Sequence, residues 1–199
     1  MSLPKGERSI TNATLNLQVA EILIKAGSGN SDKDKFWDNG AVRLVAVLLK
    51  LLQRAGHQDP AWFTLGNLYH LLQNFGSDGA PLDDFVIKWA YDPLNPQDSS
   101  LWEEWKGATT GNASAVQSFA LTALTALRAF TNQNLVQLTA ESTFDLESIR
   151  QKKTIIYFVI LAQHAEYYGF PTFRYAPRAF VFPKFLNRVL KNIFLIAND

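Results

Sequence analysis

Residues 36–55 read FWDNGAVRLVAVLLKLLQRA, and this stretch decides the fold. Its apolar residues recur every three or four positions on one helical face: Val42, Val45, Leu48, Leu49 and Leu52. Further leucines and valines widen that face until little of the circumference is polar. Because a helix of this kind must be covered on most sides, the stretch predicts the central helix of a bundle.

Weaker helical patterns lie on both sides of this stretch. They predict helices over residues 12–26, 59–76, 81–89, 100–106 and 114–130, separated by turns rich in glycine, proline and small polar residues. The expected fold class is therefore mostly α, a helical bundle.

The pattern changes near residue 150. Residues 154–162 read TIIYFVILA, a continuous apolar run typical of a strand buried on both faces, and residues 184–197 again look helical. A lone strand has no partner for its backbone groups, which indicates a missing sheet. We therefore predict a helical bundle domain over 1–150, a strand plus C-terminal helix over 151–199, and self-association through residues 154–162.

Composition narrows the class of protein. Hydrophobic residues make up 47% of the 199 residues and charged residues 19%, which supports a real core. There is no cysteine, so disulfides and zinc–thiolate sites are excluded. The longest apolar stretch, residues 41–53, is too short to cross a bilayer, and two basic residues interrupt it, so we expect no membrane span. The N-terminal residues MSLPKGERS contain no apolar core of signal-peptide length, so we also expect a cytoplasmic location.

Basic residues are concentrated near the C-terminus. From residue 150 to the end, the sequence has 8 Lys or Arg and 2 acids. Such a tail can contact DNA phosphate or an acidic partner, although ordinary solvated charge is the reading we favour. Its candidate partner-binding residues are Lys152, Lys153, Arg174, Arg178, Arg188 and Lys191.

Motifs for catalysis are not found in the sequence. It contains no GxxxxGK[ST] loop to cradle a triphosphate, and its three histidines lie far apart. We therefore expect no enzymatic activity, no cofactor and no metal site in this chain.

Two tryptophans are candidates for a partner surface. Trp102 and Trp105 stand three residues apart on a short predicted helix, so they share one face. That face is either core or partner-binding, with core as the default interpretation.

Four segments, in order, resemble the conjugative coupling proteins of type IV secretion, the TraG/TraD-type ATPases. They are SITNATLNLQVAEILIKAG (9–27), KFWDNGAVRLVAVLLKLL (35–52), WFTLGNLYHLL (62–72) and a long segment over 118–160. In the last segment, Phe144, Asp145, Leu146 and Arg150 match the family pattern, and the apolar run that follows matches its strand. The resemblance covers about residues 9–168.

The resemblance implies a place and a role for the chain. In this family an all-helical domain is inserted into a RecA-like motor domain that uses ATP and Mg²⁺, and the strand after the insertion returns to the motor sheet. The chain holds neither the phosphate-binding loop before the insertion nor the acidic strand after it, which again implies no ATPase activity of its own. The implied role is to engage a DNA–relaxase complex or a secreted protein at the cytoplasmic face of the bacterial inner membrane. The alternative is a self-contained helical interaction domain with another partner.

Overall fold

The computed structural model describes residues 5–28, 35–92 and 100–140. In these ranges the chain forms seven α-helices and no strand, which confirms the predicted mostly helical fold. The helices are α1 (Lys5–Ser28), α2 (Lys35–Gln58), α3 (Leu65–Gln73), α4 (Asp83–Ala90), α5 (Ser100–Thr109), α6 (Ala113–Ala126) and α7 (Gln133–Ala140). Three short 3₁₀ turns accompany them, at Pro60–Trp62, Ala80–Leu82 and Arg128–Thr131.

The chain divides into two compact units. The larger comprises Met1–Phe63 with Asn67–Arg128, and the smaller comprises Thr64–Gly66 with Ala129–Asp199. The predicted domain boundary near residue 150, the strand at 154–162 and the helix at 184–197 all lie outside the described residues and stay predictions.

Helix α2 is the central element of the larger unit, as its sequence predicts. It contacts α1, α4, α5 and α6. Its buried residues face several directions around the helix: Ala41, Val42, Leu44, Val45, Val47, Leu48, Leu49, Leu51, Leu52 and Ala55. At about 1.5 Å per residue its 24 residues extend over about 36 Å, so elements at its two ends are well separated.

Helix α1 packs along α2 and contributes Val19, Ile22, Leu23 and Ile24 to the core. It begins at Lys5, earlier than the predicted residue 12, and the asparagine at that position is tolerated inside the helix at a cost of less than about 0.7 kcal/mol relative to alanine. One polar contact crosses the two helices, where Asn16 Nδ2 donates to Gln53 Oε1 at 3.2 Å. A bond between partly buried amides favours one register of α1 against α2, since sliding would leave both groups unpaired.

The third predicted helix, over residues 59–76, is in fact two elements. Asp59 caps the 3₁₀ turn Pro60–Trp62, and Phe63 then leaves helical geometry with φ −85° and ψ 71°. The side chain of Asn67 donates to the carbonyls of Ala61 and Trp62, each at 3.0 Å, so the broken turn keeps its hydrogen bonds. The helical spacing of apolar residues did not predict this break, because that spacing continues through it.

A tight turn joins α3 to α4. Gly79 adopts φ +85°, and a side chain there would also press against Phe75, Trp105 and Thr109, so glycine is required on both grounds. Buried Leu82, Val86 and Trp89 then turn α4 toward the core.

Helix α6 begins where Asn112 Oδ1 accepts a bond from the Ser114 amide at 2.9 Å. It ends at Ala126 rather than at the predicted residue 130, and the 3₁₀ turn Arg128–Thr131 continues the chain. In the smaller unit, α7 was not predicted. Its sequence signal is Asn132, whose Oδ1 accepts from the Asn134 amide at 2.9 Å.

Candidate partner-binding surface

Exposed apolar side chains are concentrated at two places in the larger unit. One lies where α2 begins and meets α6, and the other lies beyond the end of α2, beside α4. Scattered single apolar residues on a surface need no explanation, but contiguous exposed aromatics indicate a binding surface.

The first place is an aromatic cluster formed by Phe36, Trp37 and Phe119. The ring centroids are 5.0 Å apart for Phe36–Trp37, 5.5 Å for Phe36–Phe119 and 5.9 Å for Trp37–Phe119. Phe36 is 62% exposed and Trp37 is 38% exposed. The cluster therefore presents aromatic area to solvent at the first turn of α2.

Gly40 explains how the cluster is assembled. A Cβ atom at this position would overlap the ring of Phe119, so the absence of a side chain lets the α6 ring lie against the α2 backbone. Such close approach of a ring to a helix backbone is a packing use of glycine rather than a helix end.

A groove continues from this cluster along α6. It has a volume of about 440 Å³ and is lined by Trp37, Asp38, Ser118, Leu121, Thr122, Thr125 and Ala126. Leu121 is 55% exposed because it lies off the apolar stripe that turns α6 toward α1 and α2. The α2–α6 groove is thus an apolar concavity bordered by hydroxyl groups.

The second place is the aromatic cluster of Trp62, Phe85 and Trp89. The Trp62 and Phe85 centroids are 6.0 Å apart, and those of Phe85 and Trp89 are 6.4 Å apart. Trp62 and Tyr91 are exposed, while Trp89 is buried. The outward face of α4 adds Asp84, Ile87 and Lys88, so this surface is mixed in charge and polarity.

Trp105 lies in the core, so it is not part of an exposed partner surface. It is fully buried, its ring packs edge-on against Phe75 with centroids 5.8 Å apart, and its Nε1 donates to Asp83 Oδ1 at 2.7 Å. A buried indole that satisfies its N–H and fills a cavity is a structural residue. The default interpretation of the tryptophan pair therefore holds for Trp105.

Trp102, one turn away, is only partly buried. Lys106 Nζ lies 4.5 Å from its ring centroid and also donates to Asp83 Oδ2 at 2.8 Å. The lysine therefore covers one face of the Trp102 ring, and the side chain as a whole is of intermediate exposure.

Asp83 links α4 to α5 through these two donors. Burial raises the pKa of its carboxyl, but the hydrogen bonds from Lys106 and Trp105 and the charge of Lys106 outweigh that, so the pKa lies below its ordinary value. Asp83 therefore stays ionised and holds the two helices together at neutral pH.

The six basic candidates, Lys152, Lys153, Arg174, Arg178, Arg188 and Lys191, lie outside the described residues and stay predictions. Sequence reasoning missed Phe36, Trp37 and Leu121 as surface residues. A signal was available for each: adjacent aromatics at a helix start point in different directions, and Leu121 falls outside the α6 stripe.

Two general features of the described residues bear on the class of site. Across residues 5–28, 35–92 and 100–140, no group of three or more His, Cys, Asp or Glu side chains is placed to hold a metal ion. No described helix is long and apolar enough to cross a membrane.

The family described as type IV secretory system conjugative DNA transfer matches residues 6–170. No curated protein and no solved structure matches the chain.

Proposed function

Because the chain belongs to the type IV secretory system conjugative DNA transfer family, we propose that its helical part recognises the transfer substrate. That substrate is a relaxase carrying DNA, or a secreted protein. In this proposal the chain works at the cytoplasmic face of the inner membrane and leaves ATP hydrolysis to the motor domain that such coupling proteins contain.

One observation of the structure supports recognition of a protein. The start of α2 and the outer side of α6 together expose Phe36, Trp37 and Leu121 beside a groove of about 440 Å³. Aromatic residues are enriched in the cores of protein interfaces, and tryptophan is among the few residue types that carry most of the binding energy there. A bundle that needed only stability would gain by covering them.

The alternative, a self-contained helical interaction domain with another partner, uses the same surface. What favours a transfer substrate is the family match over 165 residues, which extends through every described helix. The two proposals differ in the identity of the partner: a transfer substrate in the first, and another protein in the second.

The test is binding of the purified full chain to the relaxase encoded with its transfer system. Fluorescence anisotropy should compare the relaxase on its origin DNA, the relaxase alone and the DNA alone. We expect saturable binding to relaxase with or without DNA. If neither form binds while circular dichroism shows a folded helical chain, relaxase is excluded as the substrate. The same assay with the proteins secreted by that transfer system then decides, and failure of these to bind as well would overturn the transfer-substrate proposal.

DNA contact by the basic C-terminal residues is a separate part of the proposal. If these side chains bind phosphate, affinity for DNA alone must fall steeply between 50 and 200 mM salt, because each contact releases a counterion. DNA binding whose affinity does not change with salt concentration would contradict phosphate contact.

An ATP hydrolysis assay of the same preparation tests the proposed lack of ATPase activity, and any turnover that survives purification would overturn it.

A further inference from the structure

We draw no further inference here: the strongest candidate, the apolar groove between α2 and α6 beside the aromatic cluster of Phe36, Trp37 and Phe119, carries none, because nothing in the part of the chain that the structure describes shows what covers it.

Discussion

The contact between α2 and α6 differs in kind from the contact between α4 and α5. The first is apolar: Phe119 lies on the α2 backbone at Gly40, beside an open groove. The second is polar: Asp83 accepts bonds from Trp105 and Lys106 and closes the contact. An apolar contact loses stability through changes of shape, whereas a polar one loses it through changes of protonation and pairing.

The largest expected effect is loss of the buried indole at the polar contact. Trp105→Ala removes a fully buried ring that packs on Phe75 and leaves a cavity, so the free energy of unfolding should fall by about 3–5 kcal/mol. Urea denaturation measures the change. Trp102→Ala is the matched control on the same helix and should cost less, because this ring is only partly buried and part of what it loses is the contact with Lys106. Equal losses would mean that the two rings are equally embedded, against their difference in burial.

Adding one methyl group at Gly40 should weaken the apolar contact between α2 and α6. Gly40→Ala introduces a Cβ that overlaps the Phe119 ring, and overpacking of this kind typically costs about 1–3 kcal/mol, more than the roughly 1 kcal/mol that alanine gains in a helix. Gly107→Ala on α5 is the control, because nothing lies within 4 Å of its Cβ position. It should stabilise the chain by about 0.5–1 kcal/mol.

A double variant sharpens this prediction. If the cost of Gly40→Ala arises from the ring, then Phe119→Ala should relieve it, and Gly40→Ala should become stabilising in that background. A cost that persists without the Phe119 ring would place the strain elsewhere in α2. Thermal unfolding followed by circular dichroism at 222 nm is sufficient to compare signs.

The polar contact alone should depend on pH. Because the pKa of Asp83 is lowered in the folded chain, its contribution is fully present above its unfolded pKa and is lost as pH falls through the lower folded value. Asp83→Asn should cost about 1–2 kcal/mol at pH 7, since it weakens two hydrogen bonds to a charged group that is partly exposed. The difference in unfolding free energy between the parent and Asp83→Asn should shrink as pH is lowered below about 4. A difference that is constant from pH 7 to pH 3 would contradict the assignment of the shift to this contact.

Helical periodicity was sufficient to predict the bundle. The spacing of apolar residues within α2 defines its buried face, and that spacing can be recognised without knowing which helices pack against it. Periodicity could not predict the break at Phe63, since the break depends on hydrogen bonds that Asn67 makes to carbonyls several residues earlier. For the site, the spacing of three residues predicted that Trp102 and Trp105 share one helical face. It could not predict that this face turns toward the core. The exposure of Leu121 could have been predicted from the sequence, because Leu121 falls outside the stripe of apolar residues that forms the buried face of α6.

The smallest expected effect concerns Lys50, which joins the central helix to α5. Lys50 Nζ lies 2.8 Å from Glu104 Oε1 and donates to Ser100 Oγ at 2.7 Å, so it is a second polar contact to the same helix. Because the side chain of Glu104 is 42% exposed, solvent screens the pair, and Lys50→Met should cost less than about 1 kcal/mol while keeping the packing of the aliphatic stem. Urea denaturation at 50 mM and 500 mM salt measures both the cost and its screening. The Lys25–Glu21 pair on α1 is more exposed, so Lys25→Met should have a still smaller effect. If Lys50→Met costs clearly more than Asp83→Asn at pH 7, then the link from α2 to α5, rather than the link from α4, is the polar contact that contributes most to holding α5 on the bundle.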